Sequence, residues 1–555
     1  MMFSEGSFLR RHRILTGLLA CLLLLVLLAA SFLAYRMKGP YRSYRVDFLK
    51  VGEGSQPGML EVGVAKRDIT PNLAEYDTFN DNDNNNRYEP APEQRSYVEK
   101  LASRFVRMKP GPDTYVDKNG NGKFDAVWMA GFSSNRPAKG VHDPLWARAI
   151  AFRNNGVTIV MVTIDSIGIF HDKFIDIRKR IDPSLKIDHV IFSSQHNHET
   201  PDTMGIWSGP IPIPSNFDNK RMEWIKRACK EAIEEAVRSL EPADMYITQA
   251  ELIPEGFVDD SRKPEVIDTK LCCARFTKAG ADDTIATMVS WGNHPETLGG
   301  SNPFITADFS GYWRDGVENG VPEPNGVKGF GGMCLYFQGM VGGLMTQLHT
   351  TVPHRNGVDK FREASFEKAQ ALGENLAIAT AKAMRADNVI KCENPRLGVG
   401  AKTIYVPIAG PFKYAMALGL VHPGVYCTLG GIKSRSEVDV VRIGDLEMAT
   451  IPGELYPEIG DGGVEAKPGR DFEVDPVEVP PLRKEMTGKV NMVIGLANDE
   501  IGYIIPKSQW DAKPPFIYND KDQYGEENSG GPEVAPAIHH EALAMIKRLQ
   551  DAWPK

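Results

Sequence analysis

The sequence predicts an α/β protein in which mixed β-sheets are layered with α-helices. Apolar runs of strand length recur along the chain, and they alternate with segments whose apolar residues repeat every three to four positions. The chain has 555 residues, 42% of them hydrophobic, and is therefore long enough to bury a large core. Alternating strands and helices are typical of sheets covered by helical layers. We therefore expect one large domain over residues 59–555.

The predicted strands are apolar runs that end at polar or glycine-containing turns. They are Thr158–Asp165, Asp188–Ser194, Ala243–Leu252, Thr269–Phe276, Thr284–Trp291, Gly332–Phe337, Leu397–Ile408, Val438–Ile451 and Val490–Ala497. The predicted helices carry an apolar stripe at helical spacing. They are Lys220–Leu240, Phe366–Met384 and Pro536–Trp553. The stretch Gly462–Gly488 is rich in proline and charge and predicts an exposed excursion.

The N-terminal region predicts a membrane anchor. Ile14–Tyr35 contains 22 positions without a charge, which is long enough to span a bilayer. We expect a cytoplasmic N-terminus over residues 1–13, a transmembrane signal anchor over 14–35 and a linker over 36–58. Basic residues flank the apolar run on both sides, so the positive-inside rule does not decide its orientation. We favour an exported body, periplasmic or extracellular, and cleavage near Ala29 would make it secreted.

Composition excludes several functions. The net charge is -8 and the basic residues are scattered, so we expect no nucleic-acid binding. The seven cysteines include no C-x-x-C pair, which argues against a cysteine zinc site. Most of them lie in apolar strands or on an apolar helix face, as expected of inert core thiols, and one disulfide stays open.

Two stretches are rich in Asp and Asn, at 77–90 and 117–125. In the second, four side chains approach the spacing of the oxygen ligands in a calcium loop. They are Asp117, Asn119, Asn121 and Asp125. The position-12 glutamate and the flanking helices of an EF-hand are not evident. Calcium binding and a simple cluster of turn residues both remain open.

The stretch Ile191–Gly205 carries the strongest functional signal. An apolar strand leads directly into His196 and His198, and residues at i and i+2 of an extended chain lie on the same side. Both imidazoles are therefore expected to face one point beyond a strand end, where α/β proteins place ligands. This pattern indicates half of a metal site.

Five further segments have the same design, with an apolar run next to polar side chains. They contribute His142 and Arg148; Asp165; His294; Glu454; and Asn498, Asp499 and Tyr503. Six such segments together predict one cleft at the edge of the sheet. Catalytic zinc is held by about three His or carboxylate ligands and keeps one position for water.

His142, His198 and Glu454 can supply three zinc ligands, and Tyr503 can supply a phenolate oxygen as a fourth. Zinc-bound water is a source of hydroxide at neutral pH. A neighbouring His or Asp can then transfer the proton to a leaving amine. The candidates around the metal are His196, which either assists it or hydrogen-bonds a backbone carbonyl, and His294 and Asp165, which are expected to support the ligands or contact substrate.

Seven short segments carry a family resemblance. They are VGVAKRDITP at 62–71, GVHDPLWARA at 140–149, SSQHNHETPD at 193–202, NHPETL at 293–298, ADFSGY at 307–312, PGE at 452–454 and LANDEIGY at 496–503. In this order they resemble the neutral/alkaline non-lysosomal ceramidase family. The resemblance runs from about Met59 to Pro532.

The resemblance implies hydrolysis of the N-acyl amide of ceramide at a zinc ion held by two His, one Glu and one Tyr. His142 matches the His of the family's G-[IV]-H segment, and His198 matches the second His of its H-T-H-S-G-P segment. Glu454 and Tyr503 match the Glu and Tyr ligands. Tyr524 is similar to a second active-site tyrosine of the family.

The sequence departs from the family pattern in three places. His196–Pro201 reads HNHETP, so bulkier residues replace the small ones beside the metal. Met345 stands where the family has a serine assigned to catalysis, and Gly343 stands at its aspartate position. The sequence ends soon after Tyr503, so we do not expect the family's C-terminal immunoglobulin-like domain.

Three hypotheses follow. The first is a membrane-anchored zinc amidohydrolase that acts on an N-acyl amide such as a ceramide-like lipid. The second is a metal hydrolase of the same fold with another amide or ester substrate, which Met345 favours. The third is a catalytically inactive surface binding protein.

Overall fold

The computed structural model describes residues 5–36, 40–53, 58–95, 111–208, 217–410, 413–414, 416, 425–428, 431–521 and 523–554. For 5–16, 33–36, 94, 427 and 428 it describes the backbone alone. Residues 1–4 of the predicted cytoplasmic segment and parts of the predicted linker lie outside these ranges.

Two large sheets form the body. In chain order, their strands are β1 (Asp47–Val51), β2 (Glu61–Asp68), β3 (Trp146–Asn154), β4 (Val157–Ile164), β5 (His189–Ser194), β6 (Glu241–Glu251), β7 (Lys270–Lys278), β8 (Thr284–Trp291), β9 (Met333–Gln338), β10 (Ile390–Cys392), β11 (Leu397–Pro407), β12 (Val425–Thr428), β13 (Gly431–Ile443), β14 (Leu446–Thr450) and β15 (Val490–Ile494).

Both sheets are mixed. The nine-stranded sheet has the order β9-β8-β7-β6-β2-β3-β4-β5, and β10 pairs with β6. The six-stranded sheet has the order β1-β11-β13-β14-β15, and β12 pairs with β13. The pairs β8/β9, β4/β5 and β14/β15 are parallel and the other pairs are antiparallel. Each parallel pair brings the carboxyl ends of its two strands to the same edge of the sheet.

Helices cover the outer faces of the two sheets. The longer helices are α1 (Glu5–Arg36), α2 (His171–Arg180), α3 (Asn219–Arg238), α4 (Asp308–Asn319), α5 (Phe366–Ala383) and α6 (Val534–Ala552). Helices α2 and α3 share a core with one half of the nine-stranded sheet, and α4 and α5 with the other half. Helix α6 packs on the six-stranded sheet. The largest core lies between the two sheets, so the layers run helix, sheet, sheet, helix.

Short elements connect these layers. The two-stranded ladders pair Thr78–Asn80 with Thr114–Val116, Gly140–Val141 with Phe304–Ile305, Asp259–Asp260 with Met345–Thr346, Gly320–Val321 with Val327–Lys328, Val352–Pro353 with Lys360–Phe361, and Glu454–Leu455 with Tyr503–Ile504. Short α-helices occupy Pro457–Asp461, Leu482–Glu485 and Tyr524–Glu527, and 3-10 turns occupy Leu73–Glu75, Pro92–Gln94, Pro183–Leu185 and Lys507–Gln509.

The predicted α/β class and layering are confirmed, and each predicted strand or helix has a counterpart within a few residues. The predicted strand Val438–Ile451 is two strands, because Gly444 has a φ of 58° and turns the chain between β13 and β14. The predicted linker 36–58 is also wrong in part. Its segment β1 pairs along the length of β11 and so belongs to the six-stranded sheet. Six of the seven cysteines are described, and all six are free.

The predicted membrane anchor falls within helix α1. Among the residues that the structure describes, no helix is both long and apolar enough to cross a membrane. The anchor is therefore not supported.

Candidate metal centre

The end of β5 places two histidines at the rim of the nine-stranded sheet. His196 has a left-handed φ of 61°, so the chain turns sharply there, and its Nδ1 donates to the Ile167 carbonyl at 2.8 Å. His198 follows and packs against Gly131. A Cβ at Gly131 would lie 2.7 Å from the His198 Cβ, so only glycine permits this approach.

A third histidine comes from the end of β8. His294 Nδ1 donates to the Met345 carbonyl at 2.7 Å, and its Nε2 lies 3.1 Å from Glu454 Oε2. His294 was expected only to support the ligands or contact substrate. The structure instead places it among them, with ring centroids 4.8 Å from His196 and 5.5 Å from His198.

The six-stranded sheet supplies the oxygen donors. Glu454 and Tyr503 follow β14 and β15 and lie opposite each other in a short parallel ladder. Glu454 Oε2 is 3.3 Å from His196 Nε2, as well as close to His294. Burial opposes the charge of this carboxylate, but His196 and His294 stabilise it and lower the pKa of Glu454 to about 2. Glu454 is therefore an anionic donor.

The rings of His196 and His294 are held in the same way. Each Nδ1 donates to a backbone carbonyl, and each Nε2 faces Glu454. His198 Nδ1 lies 3.4 Å from Glu296 Oε2. Both ring nitrogens of His198 are buried without a hydrogen-bond partner among the described residues. Burial, and then its histidine neighbours, lower the pKa of His198 well below its ordinary value, which keeps it neutral.

These residues fit a divalent transition metal. The candidate ligand atoms of His196, His198 and His294 all lie within 4.8 Å of one another, and Glu454 adds a carboxylate. Neutral imidazoles and a carboxylate are the donors of catalytic zinc sites. A metal ion would also partner one of the two buried nitrogens of His198, which is otherwise costly to leave unpaired. We call these four residues the metal cluster.

Two other groups within the described chain have carboxylates at metal-binding distances, and each already contacts a cation. One is His189, Glu437 and Asp439, where Arg178 forms an ion pair with Glu437. The other is Asp81, Asp83 and Asp113, where Lys139 Nζ donates to Asp81 at 2.6 Å.

The predicted ligand His142 does not lie in the metal cluster. Its backbone continues the short ladder between Gly140–Val141 and Phe304–Ile305. Its ring stacks on Phe366 at 3.8 Å, and its Nδ1 contacts Asp143. The side chain is 37% exposed. His294 takes the place in the cluster that the sequence assigned to His142.

The predicted catalytic residue Asp165 is also placed elsewhere. Both of its oxygens accept from the Arg314 guanidinium, at 2.5 and 2.9 Å, and Oδ2 also accepts from the Trp146 backbone N–H. Asp165 and Arg314 are fully buried. This ion pair joins β4 to helix α4, so we do not assign Asp165 a role in the reaction.

Tyr524 lies beside the metal cluster. Its ring centroid is 6.1 Å from that of Tyr503, and both tyrosines border the same cavity. Burial, and then the charge of Glu454, raise the pKa of Tyr524 to about 12. Its hydroxyl therefore stays protonated and can donate a hydrogen bond into the cavity.

The cavity reaches His196, His198 and Glu454. Much of its wall is apolar. The apolar residues are Ile167, Phe170, Met204, Ile206, Trp207, Ile408, Met416 and Ile501. A wall of this kind suits a ligand with an apolar part.

The four predicted calcium ligands form one exposed loop. Asp117 accepts backbone N–H groups from Gly120, Asn121 and Gly122, and the amides of Asn119 and Asn121 donate to Asp125 Oδ2. The side chains thus close the loop on itself. Calcium binding stays a prediction.

Sequence reasoning missed two carboxylates, Glu296 and Glu500. Glu296 lies two residues after His294 and contacts His198, and Thr346 donates to its other oxygen. Glu500 borders the cavity. Glu296 lies in the segment NHPETL and Glu500 in the segment LANDEIGY. Their closeness in sequence to His294 and Tyr503 is the signal that could have identified them as site residues. Met345, at the position of the family's serine, contributes only its backbone carbonyl to His294.

No protein-family model matches the sequence, and no curated protein matches it. Two solved structures are similar in fold. The neutral ceramidase from Pseudomonas aeruginosa has a TM-score of 0.58 and 15% sequence identity, with 90% of this chain and 75% of that chain covered. A ceramidase complexed with C2 has a TM-score of 0.59 and 16% identity, with 89% and 76% covered. The predicted resemblance is confirmed at the level of the fold: over about nine-tenths of its length, this chain has the fold of a neutral ceramidase.

Proposed function

We propose that this protein is a zinc-dependent hydrolase that cleaves an N-acyl amide of a ceramide-like lipid. The observation that carries the proposal is the convergence of three imidazoles and one carboxylate at the cavity. The ceramidase-like fold supports the same reaction class.

The proposed metal ligands come from His196, His198, His294 and Glu454, and Tyr503 stays the predicted phenolate ligand. Zinc, when bound there, supplies a Lewis acid and lowers the pKa of bound water. His196 and His294 are held for this role through their Nδ1 atoms, each by a backbone carbonyl, and His198 Nδ1 lies 3.4 Å from Glu296 Oε2.

The remaining chemistry concerns groups of the chain around the substrate. In amide hydrolysis, water oxygen adds to the carbonyl carbon, the C–N bond breaks and the amine leaves with a proton. Tyr524 keeps its hydroxyl proton and borders the cavity, so we assign it to hydrogen-bond the substrate beside the scissile bond. The apolar walls exclude water and bind the acyl chain.

A second candidate is a metal hydrolase with a different amide or ester substrate. Met345 favours it, because this side chain is fully buried and cannot act as the family's serine nucleophile would. An inactive binding protein is disfavoured by the orphaned nitrogens of His198, since a metal-free fold gains nothing from burying them unpaired.

The test is elemental analysis of the purified full-length chain together with hydrolysis of a fluorescent ceramide. About one zinc per chain with cleavage supports the proposal. Zinc without cleavage supports the second candidate, and no zinc after supplementation supports a binding protein. An exported location is also part of the proposal, and protease added to intact cells should cleave the domain.

A further inference from the structure

Glu500 is a buried carboxyl group on the wall of the cavity that the mechanism above does not use. It is 4% exposed and borders the cavity together with Ile501. Its Oε1 accepts the backbone N–H of Gly502 at 2.8 Å. Its Oε2 is buried and has no hydrogen-bond partner among the described residues.

The surroundings of Glu500 are apolar. Its side chain packs so closely on Gly168 that an added Cβ there would lie 2.6 Å from the Glu500 Cγ and 3.0 Å from the Met204 sulfur. Burial, and then the charge of Glu454, raise the pKa of Glu500 well above its usual range. Leaving a carboxyl oxygen unpaired in such surroundings costs free energy unless a ligand provides a partner.

The loop that carries Glu500 is firmly held. Asn498 accepts hydrogen bonds from Arg178 and from the Phe192 backbone, and the Asp499 carboxylate accepts one from the His171 backbone. The Ile501 N–H donates to the Pro452 carbonyl. The backbone that carries Glu500 is therefore held in place beside the cavity.

We propose that Glu500 determines specificity by hydrogen-bonding a hydroxyl group on the amine part of the substrate, so that the enzyme selects amides of amino alcohols. This inference rests on the proposed function. A hydroxyl both donates and accepts, so it pairs with Oε2 in either protonation state of the carboxyl. Glu500 borders the same cavity as His196, His198 and Glu454, so the recognised hydroxyl and the scissile amide belong to one bound substrate.

The first experiment compares two amides that differ by one hydroxyl, N-dodecanoylethanolamine and N-propyldodecanamide. With zinc-loaded wild-type enzyme we expect kcat/KM to favour the hydroxyl-bearing amide by about 10- to 100-fold. Glu500→Met should reduce this ratio to within about threefold of one, and Glu500→Gln should keep most of it, because the amide side chain still hydrogen-bonds. Glu393→Met, the same change at an exposed glutamate outside the cavity, should keep the wild-type ratio.

A binding measurement separates this inference from the proposed function. Isothermal titration of 1-dodecyl-3-(2-hydroxyethyl)urea and 1-dodecyl-3-propylurea, which resist hydrolysis, should show the same preference in Kd and its loss in Glu500→Met. A preference in urea binding without amide cleavage contradicts the proposed hydrolase and supports the role of Glu500. A wild-type ratio near one, absence of urea binding, or an unchanged ratio in Glu500→Met overturns that role.

Discussion

Two buried charged clusters lie on either side of the segment Leu496–Tyr503, and they differ in what balances their negative charge. The metal cluster has the carboxylate Glu454, with Glu296 beside it, and no Lys or Arg in the described chain forms an ion pair with either. The second, which we call the arginine cluster, consists of Arg178, His189, Glu437, Asp439 and Asn498.

In the arginine cluster the protein provides its own cation. Arg178 donates to both oxygens of Glu437, at 3.0 and 2.6 Å, and Asn498 donates to Asp439 at 2.5 Å. Burial opposes ionisation of Glu437, but Arg178, His189 and His171 together outweigh it and lower the pKa of Glu437. The comparison teaches that similar buried acids are structural where a guanidinium pairs them, and point to a ligand where imidazoles contact them instead.

The strongest test of this difference is His198→Ala. The variant should fold, lose bound zinc and lose hydrolysis by at least about 10³-fold, because the metal loses a ligand. Elemental analysis and the amide assay measure both effects. His142→Ala is the matched control and should retain both zinc and activity, since its ring stacks on Phe366 away from the cluster. Full zinc and activity in His198→Ala would exclude it as a ligand.

Arg178→Met should instead act on stability. Removing one partner of a buried ion pair leaves an unpaired charge and costs about 3–5 kcal/mol. Urea denaturation should show this loss. Arg180→Met, on the same helix, is the control: that side chain is 38% exposed and its ion pairs should contribute about 1 kcal/mol or less. Equal losses in the two variants would contradict the role of Arg178.

Metal removal should destabilise the wild-type chain. Zinc at about 100 times its Kd is expected to add about 2.7 kcal/mol to the free energy of unfolding, because it binds the folded cluster. Thermal denaturation with and without a chelator measures this. In Glu454→Gln the chelator should have a clearly smaller effect. An equal effect in both proteins would mean that the metal binds elsewhere.

Asp499 provides the smallest test. It borders the arginine cluster, but the donors at its Oδ1 are backbone N–H groups, and burial raises its pKa to about 7. The folded state therefore holds the proton more tightly than the unfolded state. The contribution of Asp499 to stability should be greatest below about pH 4 and fall by about 1 kcal/mol per pH unit up to about pH 7.

Urea denaturation across this range should show the slope in the wild type and a flatter profile in Asp499→Asn. The exposed Asp387→Asn should keep the wild-type profile. If the stability of the wild type instead rises between pH 4 and 7 relative to that of Asp499→Asn, the raised pKa of Asp499 is refuted.

The spacing of apolar residues predicted most of the fold, because the residues that each strand or helix buries can be recognised from its own sequence. The predicted pair of histidines after β5 and the predicted Glu454 and Tyr503 do lie at one cavity. Whether His142 or His294 lies in the metal cluster depends on which distant strands pair with each other. Both follow apolar or glycine-containing segments, and only the ladder at Gly140–Val141 directs His142 away from the cluster.

The positions of Asp165 and Glu500 also depend on contacts between distant parts of the chain. In sequence Asp165 resembles a catalytic acid, but in the structure it forms an ion pair with Arg314 from a distant helix. The partnerless oxygen of Glu500 depends on which groups the fold brings near it, and neighbouring residues in the sequence carry no information about that.

The donors of the metal cluster come from both sheets, His196 and His294 from one and Glu454 from the other. A chain with only one sheet formed lacks part of the donor set, so tight metal uptake reports that both sheets have docked. Zinc binding during refolding can therefore report when the two sheets have assembled. The same division allows the chain to be split into two fragments between β10 and β11, and these fragments should bind zinc only when they associate.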